Sequence, residues 1–416
     1  MIDKYYNGVI EQVVSGIGNV EHNSILVRYS NDFSIWDLES VNHYKDQSDI
    51  FFTCHEFSYN KIAEAYEPYL GLIRQMFHRY CSGTLEEFME ECDVYKLQRP
   101  VFESYFEKGF CERTEQILID EVEYEQERMR NSIVTMLQKL SEIRPVVIVL
   151  NRFQLASKST MQLSNSLLQV KNKNIGIVLG VNDVQSIPEF AHEEWDAICE
   201  SMDDRNMVYH IGNAGRNMEP DVMDYYSDYE SDDGYRKLNN LVYFLDFDQA
   251  DHHLSKIERR IKFDNFTISE KKHYQLLLLQ IMVSVLQRDI AKALESCEDL
   301  EKLQDQEKEG AFYYNFWMAT SYMYLGKLEE AMIYVQKAKE CGEALGDDFL
   351  VFRAELLKAQ NQMSGWCNIF FCAQDIEISD KLIEKLNAYH YKNHLAHIYI
   401  YAYDNLSLIH ISEPTR

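Results

Sequence analysis

One uninterrupted apolar run constrains the fold of this chain more than any other feature. Residues 146–150, VVIVL, directly follow Pro145. The run predicts a strand that is buried on both faces of a parallel sheet, because a half-exposed strand would alternate apolar and polar residues. A helix is predicted next, and Ser157 or Ser159 could cap its first turn. The apolar face of this helix consists of Met161, Leu163, Leu167 and Leu168.

Further strands and helices are predicted on both sides of this segment. Apolar, β-branched runs predict the strands, and the segments between them have helical spacing. Strands that alternate with helices imply a mainly parallel sheet and therefore an α/β fold. The predicted strands are residues 24–29, 49–53, 146–150, 175–181 and 208–211. The predicted helices include residues 4–16 and most of residues 84–142.

A motif of known type follows the second predicted strand. It consists of a C-x-E stretch, an A-Y-x-P turn and a long apolar helix. The residues that carry it are Cys54, Glu56, Ala65, Tyr66 and Pro68. Together with the run at residues 146–150, which has the layout of a Walker B strand, the motif resembles the signal-transduction and AAA-type P-loop ATPases. The resemblance implies a P-loop-NTPase-like sheet over residues 1–260.

The residues that the resemblance would make catalytic are missing from their places. Asn151 and Arg152 follow the buried strand where two acids are expected, although an amide binds magnesium poorly and a guanidinium has the wrong sign. Residues 28–37 contain no glycine or lysine that could surround a triphosphate. Asn182 could still sense a γ-phosphate. The sequence therefore predicts a degenerate domain with no catalytic, cofactor-binding or metal-binding residue.

Two other segments could indicate chemistry of a different kind. Cys54 and His55 place a thiol next to an imidazole, but neighbours on a strand point to opposite faces, which argues against a joint site. Residues 220–237 form the most acidic run of the chain. They lack the closing glutamate of a calcium loop. The run is predicted to be a flexible acidic insertion, and a docking role and a phosphorylation role both stay open.

Helices replace strands in the last part of the chain. A linker is predicted over residues 248–266, and residues 311–345 then resemble a tetratricopeptide repeat. Small residues are expected where the two helices of such a repeat cross closely. The landmarks are Ala319, Tyr322, Gly326, Leu328, Ala331, Val335 and Ala338. The resemblance implies an all-α, tetratricopeptide-like domain over residues 265–405.

Weaker copies flank this central repeat. In a copy that starts near residue 274, Ala293 and Leu300 align with Ala331 and Ala338. A third copy spans residues 349–386, and the first helix of a fourth follows it. Repeats of this kind need neighbours that cover their faces, so the natural chain is expected to continue past residue 405. Residues 406–416 are interpreted as a non-native tail, because SLIHISEPTR resembles translated sequencing-adapter read-through.

Charge and cysteine content restrict the partners and the compartment. The chain has 41 Lys and Arg against 68 Asp and Glu, which gives a net charge of −27. Such a field repels phosphate backbones and anionic lipids, so binding to nucleic acids or membranes is not expected. The nine cysteines include no C-x-x-C pair. With neither a signal peptide nor an apolar run of roughly 18 residues, a cytoplasmic location is predicted.

These observations predict a regulatory or signalling protein and favour that role over an enzymatic one. The domain order is similar to the sensory halves of large bacterial signalling proteins, which implies an output domain, often a diguanylate cyclase, beyond this sequence. The repeats are expected to bind a protein or peptide partner in an aromatic groove. The expected contact residues are Tyr313, Phe316, Thr320, Met323 and Tyr324. The alternative is an active ATPase that binds ATP with magnesium through an atypical phosphate loop.

Overall fold

The computed structural model describes residues 2–19, 23–30, 34–45, 49–58, 61–95, 98–111, 122–170, 172–182, 187, 189–203, 207–211, 231–264 and 266–364. Apart from a short stretch that ends at Val122 and is grouped with the second unit, the chain divides into a first unit that ends at Ala250 and a second unit that begins at Asp251. Among the helices of these ranges, none has the length and apolar character that crossing a membrane requires.

A single five-stranded sheet forms the centre of the first unit. Its strands are β1 (Ser24–Tyr29), β2 (Phe51–Glu56), β3 (Val146–Asn151), β4 (Ile175–Asn182) and β5 (Val208–Ile211). They lie in the order β2-β3-β4-β1-β5, and every neighbouring pair is parallel. β3 and β4 are buried along their whole length, as strands inside a parallel sheet are. The predicted α/β class with a mainly parallel sheet is confirmed.

Capping side chains fix where several helices of the first unit begin. Thr84 and Glu87 form a capping box, in which each side chain accepts a hydrogen bond from the other residue's backbone N–H. Ser157, not Ser159, caps the helix after β3, because its hydroxyl accepts from the N–H of Thr160. The helices are α1 (Ile2–Gly16), α2 (Glu39–Lys45), α3 (Tyr69–Tyr80), α4 (Leu85–Glu91), α5 (Arg99–Lys108), α6 (Val122–Ile143), α7 (Lys158–Gln169), α8 (His192–Asp203) and α9 (Asp232–Tyr243).

The predicted linker over residues 248–266 is wrong, because most of it belongs to a helix, α10 (Phe247–Phe263). Ala250, Leu254 and Ile257 are buried at helical spacing. The many charged residues between them hid this apolar stripe from a reading based on composition. The boundary between the two units falls inside α10.

The predicted acidic insertion is only partly described. Residues 220–230 lie outside the described ranges, whereas residues 231–237 open helix α9. The Ser231 hydroxyl accepts a hydrogen bond from the Gly234 N–H at 2.9 Å, and two aspartates occupy the first turn. A serine cap followed by acids is a helix start, because both groups compensate the unpaired N–H groups there. The insertion prediction is therefore wrong for residues 231–237.

The second unit is a series of helices with an aromatic core. After the end of α10 they are α11 (Glu270–Leu286), α12 (Ile290–Glu301), α13 (Gly310–Tyr324), α14 (Leu328–Leu345) and α15 (Asp348–Ser364). Each helix packs on the next, and α13 also contacts α11 and α15. Ala293, Leu300, Ala331 and Ala338, which the sequence aligned in pairs, are all fully buried. Helix α15 covers the start of the third predicted copy, whereas the rest of that copy and the fourth copy fall outside the described residues, which end at Ser364.

Gly326 is required for its backbone conformation and not for a close helix crossing. Its φ is +73°, and a Cβ at this position would meet nothing within 4 Å. Ala319 and Ala331, by contrast, are fully buried where small residues were expected. The glycine reverses the chain between α13 and α14, because the left-handed region carries a penalty for residues with a Cβ.

Replacing Gly326 with alanine is expected to weaken the α13–α14 turn by about 1 kcal/mol, because the left-handed conformation then becomes strained. Hydrogen exchange of the α13 and α14 amides would measure this as roughly fivefold lower protection. Gly326→Asn is the matched control. Its amides should lose less protection than those of the alanine variant, since asparagine tolerates this conformation. Equal protection in the alanine variant and the wild type would contradict this explanation.

Candidate functional site

The carboxyl ends of the parallel strands meet at one edge of the sheet, where open α/β sheets bind ligands. Tyr29 of β1 lies opposite Asn182 of β4, and Glu56 of β2 lies opposite Asn151 of β3. Arg152 directly follows β3. The residues that the sequence assigned to degenerate motifs are therefore brought to one edge, together with Tyr29 and Glu56.

The side chain of Asn151 is fully buried and is held by its neighbours. The Tyr29 hydroxyl donates to Asn151 Oδ1 at 2.8 Å, and the Phe57 N–H donates to the Asn151 carbonyl oxygen at 3.0 Å. Gly180 faces the same side chain: a Cβ there would lie 2.7 Å from Asn151 Oδ1 and would collide with the Tyr6 hydroxyl. The Asn151 side-chain oxygen is thus a hydrogen-bond acceptor in a closed environment.

Arg152 and Glu56 form the charged centre of the edge. Arg152 Nη1 lies 3.2 Å from Glu56 Oε1, and the exposed fractions of the two side chains are 19% and 9%. The other oxygen, Glu56 Oε2, accepts from the Ser34 hydroxyl at 3.0 Å and from the Ile35 N–H at 3.3 Å. The φ of Arg152 is +53°, so the chain leaves β3 through a left-handed residue. One carboxylate thereby joins the segments that follow β1 and β3.

The charges at this edge are the reverse of those at an ATPase centre. A magnesium triphosphate needs an acid after the Walker B strand to hold the metal, and backbone donors after the first strand to hold phosphate. Here a guanidinium follows β3, and Ser34 and Ile35 donate to a protein carboxylate. These residues do not fit a magnesium nucleotide. Within the described ranges, no group of three His, Cys, Asp or Glu side chains could hold a metal ion.

Gln154 is a member of this edge that the sequence analysis did not identify. It is fully buried in the short 3-10 helix Phe153–Leu155, and its Oε1 accepts from the Asn182 N–H at 3.2 Å. Asn182 is itself only 4% exposed. The signal in the sequence was a single polar residue in an apolar stretch. Its meaning depends on a partner that lies 28 residues away.

Cys54 and His55 do not form a thiol–imidazole site. Burial raises the pKa of the Cys54 thiol to about 12 and lowers the pKa of His55 to about 4, so both side chains are neutral at pH 7. A nucleophilic cysteine needs the thiolate. The His55 ring packs edge-to-face on Phe57 with centroids 4.5 Å apart, and His55 Nε2 lies 3.5 Å from Glu67 Oε1.

The start of α7 binds the A-Y-x-P turn. The Ser157 hydroxyl donates to the Glu64 carbonyl oxygen at 2.9 Å, and the Thr160 hydroxyl donates to the Glu67 carbonyl oxygen at 3.0 Å. Hydroxyl groups at a helix start can satisfy carbonyl groups that an irregular turn leaves unpaired. The two motifs that carry the resemblance to ATPases therefore pack against each other.

Glu64 and Glu67 form an acidic cluster in this turn. The Asn240 amide donates to Glu64 Oε2 at 2.9 Å, and the Glu64 N–H donates to Glu67 Oε2 at 3.1 Å. Burial, followed by the negative charge of Glu67, raises the pKa of Glu64 to about 7. Burial also raises the pKa of Glu67. No sequence pattern predicted this cluster, because Asn240 lies 176 residues from Glu64.

The five residues predicted to contact a partner all lie on α13, but they differ in exposure. Tyr313, Phe316 and Thr320 are at most 2% exposed and belong to the interior of the second unit. Met323 and Tyr324 are half-buried and pack against its core. Only the last two therefore offer part of their surface to a partner in the conformation described.

Comparison with known proteins adds no relative: no family model matches the chain, and neither a curated protein nor a solved structure matches it. The resemblance to ATPases and to tetratricopeptide repeats therefore rests on the motifs described above. Function has to be argued from the residues and their contacts.

The Glu56–Arg152 pair is expected to stabilise the first unit. Arg152→Met should cost about 2–4 kcal/mol, because it leaves the shielded Glu56 carboxylate without a cation. The double variant Glu56→Gln, Arg152→Met should be closer to the wild type, since it removes both charges. Hydrogen exchange of the β3 amides in the wild type, both single variants and the double variant gives the coupling energy. A coupling energy below about 0.5 kcal/mol would contradict this role of the pair.

Glu64 is expected to make the stability of the first unit depend on pH. Because folding raises its pKa from 4.5 to about 7, Glu64 contributes stability below about pH 4.5 that is lost as the pH rises through 7. Glu64→Gln keeps the acceptor for Asn240 and does not titrate. The free energy of unfolding of the variant, relative to that of the wild type, should therefore rise by about 2 kcal/mol between about pH 5 and pH 8. Denaturant unfolding measures this difference. A difference that does not change with pH would refute this assignment.

Proposed function

We propose that this chain is a regulatory or signalling protein in which a degenerate ATPase-like domain and helical repeats bind a protein partner or control an output domain. The observation that carries the proposal is the Glu56 carboxylate, which binds Arg152, Ser34 and Ile35. These contacts replace, with charges of the protein itself, those that a magnesium nucleotide makes in an ATPase. Such a domain keeps its shape without a nucleotide.

The strand order supports a relation to P-loop ATPases. β4 lies between β1 and β3, so the strands that the resemblance assigns to the phosphate loop, the γ-phosphate sensor and Walker B end side by side. The positions of an ATPase site are retained while the residues at them differ. This combination favours a domain that serves as a structural and regulatory module.

The second unit supports a binding role. Its helices pack in sequence order, and α13 contacts both α11 and α15, as helices in repeat stacks do. Such stacks present extended surfaces to partners. A net charge of −27 favours a protein or peptide over nucleic acid or an anionic membrane. The output domain that the resemblance implies, often a diguanylate cyclase, would lie beyond this sequence.

An active ATP-binding protein with an atypical phosphate loop is the alternative. Arg152 is the observation that favours it, since a guanidinium binds phosphate in a forked arrangement. In that case Arg152 would have to leave Glu56, whose carboxylate would then repel the triphosphate. A magnesium ligand other than Asn151 would also be needed.

Calorimetric titration of the chain with ATP and ADP, with and without magnesium, distinguishes the two functions. We expect no binding of either nucleotide up to about 1 mM, because the donors of the edge are used within the protein. Magnesium-dependent binding in the micromolar range would refute the proposal. Repeating the titration with Arg152→Ala would then decide whether the edge is the site, since a phosphate bound there would lose its cation.

A further inference from the structure

Arg353 of α15 is a buried cation in the second unit. Only 8% of the residue is exposed. Its guanidinium carbon lies 4.5 Å from the centre of the Phe316 ring and 5.8 Å from the centre of the Tyr313 ring. Nη1 is buried without a hydrogen-bond partner, and within the part of the chain described Arg353 forms no ion pair. Its only contacts of these kinds are with aromatic rings.

An unpaired guanidinium is unexpected in so acidic a chain. Acidic residues outnumber basic ones by 68 to 41. The other shielded arginine discussed above, Arg152, has a carboxylate within 3.2 Å. On α15 itself, the acid two residues from Arg353 is Glu355, and it pairs with Lys339 at 3.2 Å. Removing a charge from water costs free energy unless an anion compensates it. The buried position of Arg353 is therefore costly unless an anion binds there.

We infer that Arg353 binds an acidic side chain of a partner peptide between α13 and α15. This inference rests on the proposed function, in which the repeats hold a protein partner. A carboxylate can accept two parallel hydrogen bonds from one guanidinium, which would give Nη1 its missing partner and neutralise the charge.

A glutamate or aspartate side chain fits this position better than other anions do. A phosphate group carries nearly two charges and is usually held by several cations, whereas Arg353 is a single one in a strongly negative chain. A carboxyl terminus would bring backbone groups that find no partners among aromatic rings. A side chain instead approaches on an apolar stem, and the flexible stem of Arg353 lets its guanidinium turn towards the surface.

The inference also changes the role of two residues that the sequence singled out. Tyr313 and Phe316 were expected to contact the partner directly, but they are at most 2% exposed. They would instead lie beneath the guanidinium and bind it by cation–π attraction while no ligand is present. The direct contact would be made by Arg353, which no repeat landmark indicated.

The test uses saturation-transfer NMR with the whole chain and small probes. N-acetylglutamic acid α-N-methylamide carries one side-chain carboxylate, and the corresponding glutamine compound is its uncharged match. N-acetylalanine carries an α-carboxylate and represents a chain terminus.

Two protein variants are compared with the wild type. Arg353→Met removes the charge and keeps a long stem. Arg288→Met is the matched control, because Arg288 also stacks on a ring, that of Tyr324 at 4.1 Å, but is exposed.

We expect saturable binding of the glutamate compound and at least about tenfold weaker binding of the glutamine compound. Arg353→Met should lose binding to a similar extent, and Arg288→Met should retain it. Equal binding of the two compounds, or unchanged binding in Arg353→Met, would overturn the inference. Equally strong binding of N-acetylalanine would overturn the choice of a side chain as the ligand.

Thermal unfolding of Arg353→Met provides a second readout. If the charge is retained for a ligand, removing it should raise the unfolding midpoint by about 3 °C. If stacking on the rings is the whole role of Arg353, the midpoint falls and the inference fails. Failure of this kind leaves the proposed function standing, because that function is tested by nucleotide titration of the edge in the first unit.

Discussion

Complete burial of β3 is the constraint on which the first unit depends. Each of its residues, including Asn151 at its end, is shielded from water. A strand buried on both faces and both edges needs parallel neighbours for its backbone groups and helices over its side chains. β2 and β4 supply the neighbours in a fixed register. That register in turn places the strand ends, and the polar residues on them, at one edge.

The contacts at that edge are made between groups of the protein itself. Here Glu56 provides the anion and Arg152 the cation, while Tyr29 and Gly180 enclose the Asn151 amide. The Glu56 carboxylate, the Arg152 guanidinium and the Asn151 amide oxygen each have a partner of opposite character in the protein, so burial of these groups is tolerated.

In the second unit, the buried guanidinium of Arg353 has no carboxylate partner among the described residues. Its aromatic core is formed largely by α13, whose Phe312, Tyr313 and Phe316 are nearly inaccessible to water. Arg353 lies on two of these rings, and no described residue supplies an anion for it. Arg152 is compensated by Glu56 and forms a structural ion pair. Arg353 has no such partner among the described residues, which leaves its position open to a ligand.

The sequence by itself determined the α/β class, the five strands and the polar residues Asn151 and Arg152 where β3 ends, because these follow from local composition and period. It also pointed to the edge through Asn151 and Arg152. Only the tertiary structure decided which groups meet there: Glu56 came from a motif considered for another reason, and Gln154 went unnoticed. Helix packing likewise decided that Tyr313 is buried and that Arg353 has no ion pair among the described residues. A helix by itself does not specify which of its faces a distant neighbour will cover.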